Sequence, residues 1–196
     1  MITHELLDTA MNYSHYKNLL EDLLAQGKTT GSNQSEEYIN YAKINLQRMQ
    51  RIEKTTVLND ELKEALSKIT TSYIWLVITE GWCGDAAQNV PVMHVIEKEY
   101  KTIELKCILR DEHLEIMDNY LTNGGRSIPK VICLDKNSLK EVFVWGPRPL
   151  PLQEIVMQMK KTNTSHQEKG LVAQNWYNAD KTKTLQSEIL NLVRNL

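Results

Sequence analysis

The sequence predicts an α/β fold: a central mixed sheet flanked by helices, preceded by an N-terminal helical extension and followed by a C-terminal helical tail. Three observations carry this expectation. Apolar residues recur at helical spacing through most of the first seventy positions. The run YIWLVIT, Tyr73 to Thr79, is β-branched and aromatic without polar alternation, as in a strand covered on both faces. From there the pattern reads strand, helix, strand, helix, strand, strand, helix to about residue 160. The expected organisation is therefore an extension over 1–70 packed on the core, a sheet domain over 71–160 and a tail over 161–196 that ends in a helix.

Between Thr9 and Leu24 the positions Tyr16, Leu19, Leu20, Leu23 and Leu24 form one helical stripe, which stops at Gly27. Lys28 to Gln34 is small and polar and reads as a loop. Ile39, Ala42, Leu46, Met49 and Ile52 predict a second helix from Ser35 to about Thr55. Asn59 or Asp60 is placed to cap a third, reaching Ile69, because either side chain accepts from free backbone N–H groups. Beyond the first strand, Ala86 to Tyr100 is helical with Pro91 inside it, where a missing N–H bends the helix. Ile103 to Leu109 is a strand, Glu112 to Leu121 a helix, and Asn123-Gly124-Gly125 a helix stop. Lys130 to Leu134 and Lys140 to Trp145 are strands joined by a polar hairpin turn. Leu152, Ile155, Val156 and Met159 give a further helix. The chain is then polar from Lys161 to Gly170 before a last helix bearing Leu185, Ile189, Leu192 and Val193. Trp176 and Tyr177 are candidates to staple the tail to the core.

A chain of 196 residues, 41% hydrophobic, is long enough for one ordinary core with helices around it. Twenty-three basic and twenty-five acidic side chains leave a formal charge of −2, and no basic cluster has the density of a phosphate-binding surface, so nucleic acid is not an expected partner. The longest apolar run is far shorter than the ~20 residues a bilayer span needs. The first thirteen residues carry Glu5 and Asp8 and lack the basic start and apolar stretch of a signal peptide. The expectation is a soluble, cytoplasmic protein without a membrane partner. Three widely spaced cysteines, Cys83, Cys107 and Cys133, fit a reducing compartment better than a disulfide scaffold. The five histidines are scattered without metal-ligand spacing, and no metal or cofactor is expected.

Cys83 stands between a buried strand and a helix, where free N–H groups and the positive end of the helix dipole converge. That position is expected to lower the thiol pKa and leave the sulfur at least partly accessible. Cys107 and Cys133 lie inside strands and are expected to be buried and unpaired. Cys107 would lie near Val77, beneath the helix that follows Cys83. His94, three turns along that helix, is too far for a Cys–His pair.

Trp82-Cys83-Gly84, Pro91, Ser127-Ile128-Pro129 and Gly146 come in an order and spacing that resembles the thioredoxin family: its Trp-Cys-Gly-Pro-Cys motif, helix-kinking proline, cis-proline loop and following glycine. The resemblance covers Tyr73 to about Lys160, and so makes the expected fold class thioredoxin-like. It implies that Cys83 is the nucleophile and that Trp82, Gly84, Asp85, Ile128 and Pro129 form the substrate-binding surface. Pro129 would follow a cis bond and pack against Cys83, while the Ile128 backbone pairs with substrate like an added strand. Asp85 fills the family's proline position, where a carboxylate serves as a cap or opposes a neighbouring thiolate. Ala86 replaces the resolving cysteine, and Val77 stands where the family often keeps a buried acid. Trp82 is expected to shield the thiol and offer an apolar docking surface, or simply to pack.

These features imply a thiol–disulfide oxidoreductase with one nucleophilic cysteine. Its mixed disulfides, with a disulfide-containing protein or a low-molecular-weight thiol, are resolved by an external thiol. The alternatives are a thioredoxin-fold binding or adaptor module without turnover, and cluster binding by one Cys83 per subunit of a dimer. The sequence sets no oligomeric state.

Overall fold

The computed structural model describes residues 2–196. Its sheet has the order β1-β3-β2-β4-β5, formed by β1 (Met11–Asn12), β2 (Tyr73–Thr79), β3 (Ile103–Leu109), β4 (Lys130–Asp135) and β5 (Glu141–Trp145). β2 and β3 are parallel, and the remaining pairs are antiparallel. This is the mixed sheet flanked by helices that the sequence predicts. Every residue of β2 is buried, which explains a run with no polar alternation at the centre of the sheet.

The helices are α1 (His4–Thr9), α2 (Tyr13–Ala25), α3 (Glu36–Thr55), α4 (Asp60–Ser67), α5 (Gly84–Glu99), α6 (Leu114–Met117), α7 (Leu150–Lys161), α8 (His166–Asp180) and α9 (Lys183–Val193). Side-chain caps set several starts, because a helix N-terminus leaves N–H groups that need acceptors. Ser35 caps α3 and Asn59 caps α4. One hydrophobic cluster runs from Leu7 on α1 through β2–β4 to Val193 on α9, so both flanking segments share the core of the sheet. The Tyr16 hydroxyl lies 3.2 Å from Thr79 Oγ1 at the end of β2, and Lys17 pairs with Glu53 at 2.9 Å to tie α2 to α3. α3 packs along α5, and α9 packs on α4. Gln186 on α9 accepts from the Asn59 N–H at 2.8 Å and donates to the Val57 carbonyl at 3.2 Å.

Three segments differ from the sequence expectation. The helix expected from Thr9 starts at Tyr13, capped by Asn12 Oδ1, and Met11–Asn12 instead pair with Cys107 and Lys106 at the sheet edge. The helix expected over Glu112 to Leu121 is a 3₁₀ turn, Arg110–Glu112, followed by the single turn of α6. His113 leaves helical geometry between them, and Arg126 donates twice to Asp118, at 2.6 and 2.9 Å, folding the following chain back. The polar stretch after Lys161 becomes α8 at His166, because Ser165 and Glu168 form a reciprocal capping box.

Candidate functional site

Strand β2 ends at Thr79, and the Glu80–Trp82 turn delivers Cys83 to the start of α5. The Cys83 N–H donates to the Glu80 carbonyl at 3.1 Å, fixing the turn. Cys83 is itself the N-cap: its sulfur accepts from the Ala86 N–H at 3.4 Å. The same sulfur donates its proton to the Ile128 carbonyl at 3.3 Å. The Ile128–Pro129 peptide bond is cis, and both residues are buried. Gly146, at φ +113°, lies against this loop, and a Cβ there would meet the Pro129 carbonyl oxygen at 2.3 Å. No other residue fits that approach. The following Gly146–Pro147 bond is also cis.

Two expectations for Cys83 are corrected. Its exposure is 7%, so the residue is buried where partial accessibility was expected, while Cys107 and Cys133 are fully buried and free, as expected. Its pKa is raised, not lowered: burial first, then the Asp85 carboxylate, pushes the thiol up to about 12. The N–H groups of Ala86 and Asp85 and the Arg148 charge act in the lowering direction but are outweighed. The resting side chain is a neutral thiol, as its donation to the Ile128 carbonyl requires.

Asp85 is not the cap of α5. One of its oxygens takes two N–H bonds from Arg148, at 2.6 and 3.0 Å, and the other accepts from the Tyr177 hydroxyl at 2.8 Å. Asn89, one turn along α5, donates to the same hydroxyl at 2.9 Å. Tyr177 therefore fastens α8 to the helix that carries Cys83, and Trp176 packs in the small apolar cluster of Leu152, Val156 and Tyr177. Arg148 comes from the loop after β5, and its charge is favoured by Asp85 against the cost of burial. The fastening of α8 is the stapling expected of Trp176 and Tyr177, whereas Arg148 was not visible in the sequence pattern, because its partner Asp85 lies 63 residues away.

Trp82 packs rather than projecting. Its ring is 5.2 Å from that of Tyr38 on α3, and the Arg110 guanidinium lies over it at 4.7 Å. Gly31, at φ +77°, passes close below: a Cβ there would meet Asp111 Oδ2 at 2.6 Å and Trp82 Nε1 at 3.3 Å. Gly84 is half-buried, next to Arg48 of α3.

Sequence reasoning sought a buried acid at position 77 and found Val77, but a buried acid stands at Glu80. Its Oε1 accepts from the Asp111 N–H at 2.9 Å. Burial pushes its carboxyl upward, opposed by the nearby Thr30 hydroxyl and by the Asp111 N–H bond. The available signal was an acid directly after a strand with no charged residue and no polar alternation. Val77 pairs in register with Cys107, so Cys107 lies on the neighbouring strand, and all three cysteines are free. His94 stacks on Tyr13 at 4.1 Å and bonds Glu97, away from Cys83. Among the described residues no group of three His, Cys, Asp or Glu side chains is arranged to hold a metal ion. No helix among them is long and apolar enough to cross a membrane.

A family profile described as Thioredoxin matches residues 31–161, reaching well into the helical extension. The fold is similar to a crystal structure of a protein of unknown function from Pseudomonas aeruginosa, at 18% identity and TM-score 0.66 over 100% of this chain and 99% of that one. An HIV epitope scaffold is similar at 17% identity and TM-score 0.65, over 100% and 99% of the two chains. At these identities the likeness is one of fold. No curated protein matches the sequence.

Proposed function

We propose, from the premise that this chain belongs to the thioredoxin family, that it is a thiol–disulfide oxidoreductase with one working cysteine, Cys83. The observation that carries the reading is the contact of Cys83 Sγ with the Ile128 carbonyl, 3.3 Å away, beside Pro129 and at the start of α5. In the reaction the Cys83 thiolate attacks one sulfur of a substrate disulfide. A new S–S bond forms, the old one breaks, and the second sulfur leaves as thiolate. Ala86 supplies no second thiol, so an external thiol attacks the mixed disulfide and regenerates Cys83.

The resting hydrogen bond gives substrate binding a role in activation. An extended segment that pairs with the Ile128 backbone takes the carbonyl that now accepts the S–H. The thiol form then loses its acceptor, while the Ala86 N–H still favours thiolate. Trp82, Gly84, Asp85, Ile128 and Pro129 surround the sulfur in this reading, with Asp85 working through Arg148 and Tyr177 rather than by touching substrate. Three free cysteines suit a reducing compartment, and the reading assigns the protein to the cytoplasm.

A second reading, a binding module without redox turnover, is favoured by the near-closure and raised pKa of Cys83. Partner capture separates the two. Wild type and Cys83→Ser are exposed to lysate, washed in denaturant and eluted with reductant. Exchange chemistry predicts disulfide-linked partners on wild type alone. Binding without exchange predicts none on either, with equal non-covalent capture by both before denaturation.

A further inference from the structure

Arg48, on the α3 face turned to α5, is half-buried and has no carboxylate within ion-pair distance among the described residues. Its Nη1 donates at 2.9 Å to Asn45 Oδ1, and Asn45, itself 1% exposed, donates at 3.0 Å to the Gly81 carbonyl. The guanidinium is thus tied to the turn that carries Cys83, and its Nη1 lies 3.7 Å from where a Gly84 Cβ would stand. One of its five N–H donors has a partner within the protein, which leaves the others free to meet solvent or a bound anion. Arg51 follows one turn along α3, also without a carboxylate partner. Burial, then repulsion from Arg51, moves the Arg48 pKa down, the direction expected of a charge without a counterion. Asp85 offers no compensation, since Arg148 and Tyr177 occupy both its oxygens.

We propose that Arg48 makes the site selective for disulfides bearing a carboxylate a few bonds from sulfur, the anion lying between the Arg48 guanidinium and the N-terminus of α5 while Cys83 attacks. The inference rests on the exchange reading of Cys83 and names its substrate class. A Cβ at Gly84, the first residue of α5, would have Arg48 Nη1 as its one neighbour within 4 Å beyond the local backbone, at 3.7 Å, so this side of the helix start faces the guanidinium. Guanidinium donors match carboxylate geometry, and a helix N-terminus adds N–H groups of the same sign.

The test uses three dialkyl disulfides of different charge, 3,3′-dithiodipropionate, bis(2-hydroxyethyl) disulfide and cystamine, each rate being taken relative to the same disulfide's reaction with free 2-mercaptoethanol because their leaving thiols differ in pKa. Adduct formation at Cys83 is followed by intact mass. The dianion is expected to react fastest and the dication slowest, with the dianion ahead of the neutral compound by roughly fivefold or more, the attraction of one charge pair near a surface. Arg48→Gln should collapse this order, Arg48→Lys should keep part of it, and 0.5 M salt should compress it in wild type without any substitution. Melting curves verify that the variants are folded, and the salt series stands if they are not. Equal relative rates for the three disulfides in wild type would overturn the selectivity while leaving exchange intact. Failure of Cys83 to react with any of them would overturn the exchange reading itself, and this inference with it.

Discussion

Replacing Asp85 by Asn should make Cys83 more reactive. The carboxylate raises the thiol pKa, second only to burial, and it also neutralises Arg148. The substitution removes the one negative charge and frees the other positive one, so both effects move the thiol pKa down. With the wild-type value up at about 12, roughly one thiol in 10⁵ is ionised at pH 7, against about 3% for an ordinary cysteine. The thiolate deficit is about 3,000-fold, of which nearly half on a logarithmic scale is regained through the greater nucleophilicity of a basic thiolate. Wild type should therefore react with a small disulfide at least about 50-fold more slowly than a free thiol at pH 7, before hindered access is counted. Each pKa unit lost in Asp85→Asn should speed exchange about threefold. The assay is the rate of disulfide exchange at Cys83 from pH 6 to 10.5, with circular dichroism to check the fold. Breaking a mostly buried ion pair costs about 3 kcal/mol, so the check is necessary. The wild-type rate should climb throughout without a plateau, and the variant profile should lie at lower pH. A wild-type plateau below pH 9, or a variant profile displaced upward, would refute the electrostatic reasoning.

Gly146→Ala should destabilise the protein by at least about 2 kcal/mol, since the new Cβ meets the Pro129 carbonyl at φ +113°; denaturant melts with an unchanged midpoint would contradict it. Tyr177→Phe removes a bond to Asp85 and an acceptor for Asn89, and should cost about 1–2 kcal/mol. Its hydrogen exchange should quicken along α8 while β2 is unaffected, and equal changes in both would point to global loosening instead. The Glu80 carboxyl is raised above its ordinary 4.5 in the folded chain, so folded protein holds that proton more tightly than unfolded protein does. Its contribution is present below pH 4.5 and lost as pH rises through the raised value. Glu80→Gln should accordingly gain melting temperature relative to wild type as pH increases from 4 to 7; a pH-independent difference would sink this argument.

The sheet was legible where one physical signal dominated. Tyr73–Thr79 has the bounds expected because a strand buried on both faces leaves no alternation to confuse it with a helix, and Ile103–Leu109 has them because buried Ile103, Leu105 and Cys107 alternate with half-buried Glu104 and Lys106 at the strand period. Met11–Asn12 is too short for any period and is a strand only because β3 offers an edge. The start of α8 was hidden because its capping box sits in a stretch that composition alone marks as loop. At the site, sequence order identified Cys83 and the Ile128–Pro129 loop, which the fold brings within 3.3 Å. The direction of the thiol's pKa was misread because a local argument, a cysteine at a helix start, omits burial beneath distant elements. Arg48 was visible only as a polar residue off a helical stripe, and its value at the site depends on how α3 lies on α5.

The central claim is that Cys83 forms a disulfide with substrate that the chain cannot resolve alone. Intact-mass measurement after mixing with bis(2-hydroxyethyl) disulfide, then after adding excess glutathione, addresses it directly. The account predicts one adduct on wild type that persists until glutathione is added and none on Cys83→Ser. In Ala86→Cys, whose new thiol belongs to the residue whose backbone N–H now bonds Cys83 Sγ, the adduct should release itself. Rapid self-release in wild type would contradict the account and point to Cys107, and the absence of any adduct would leave the binding module as the function.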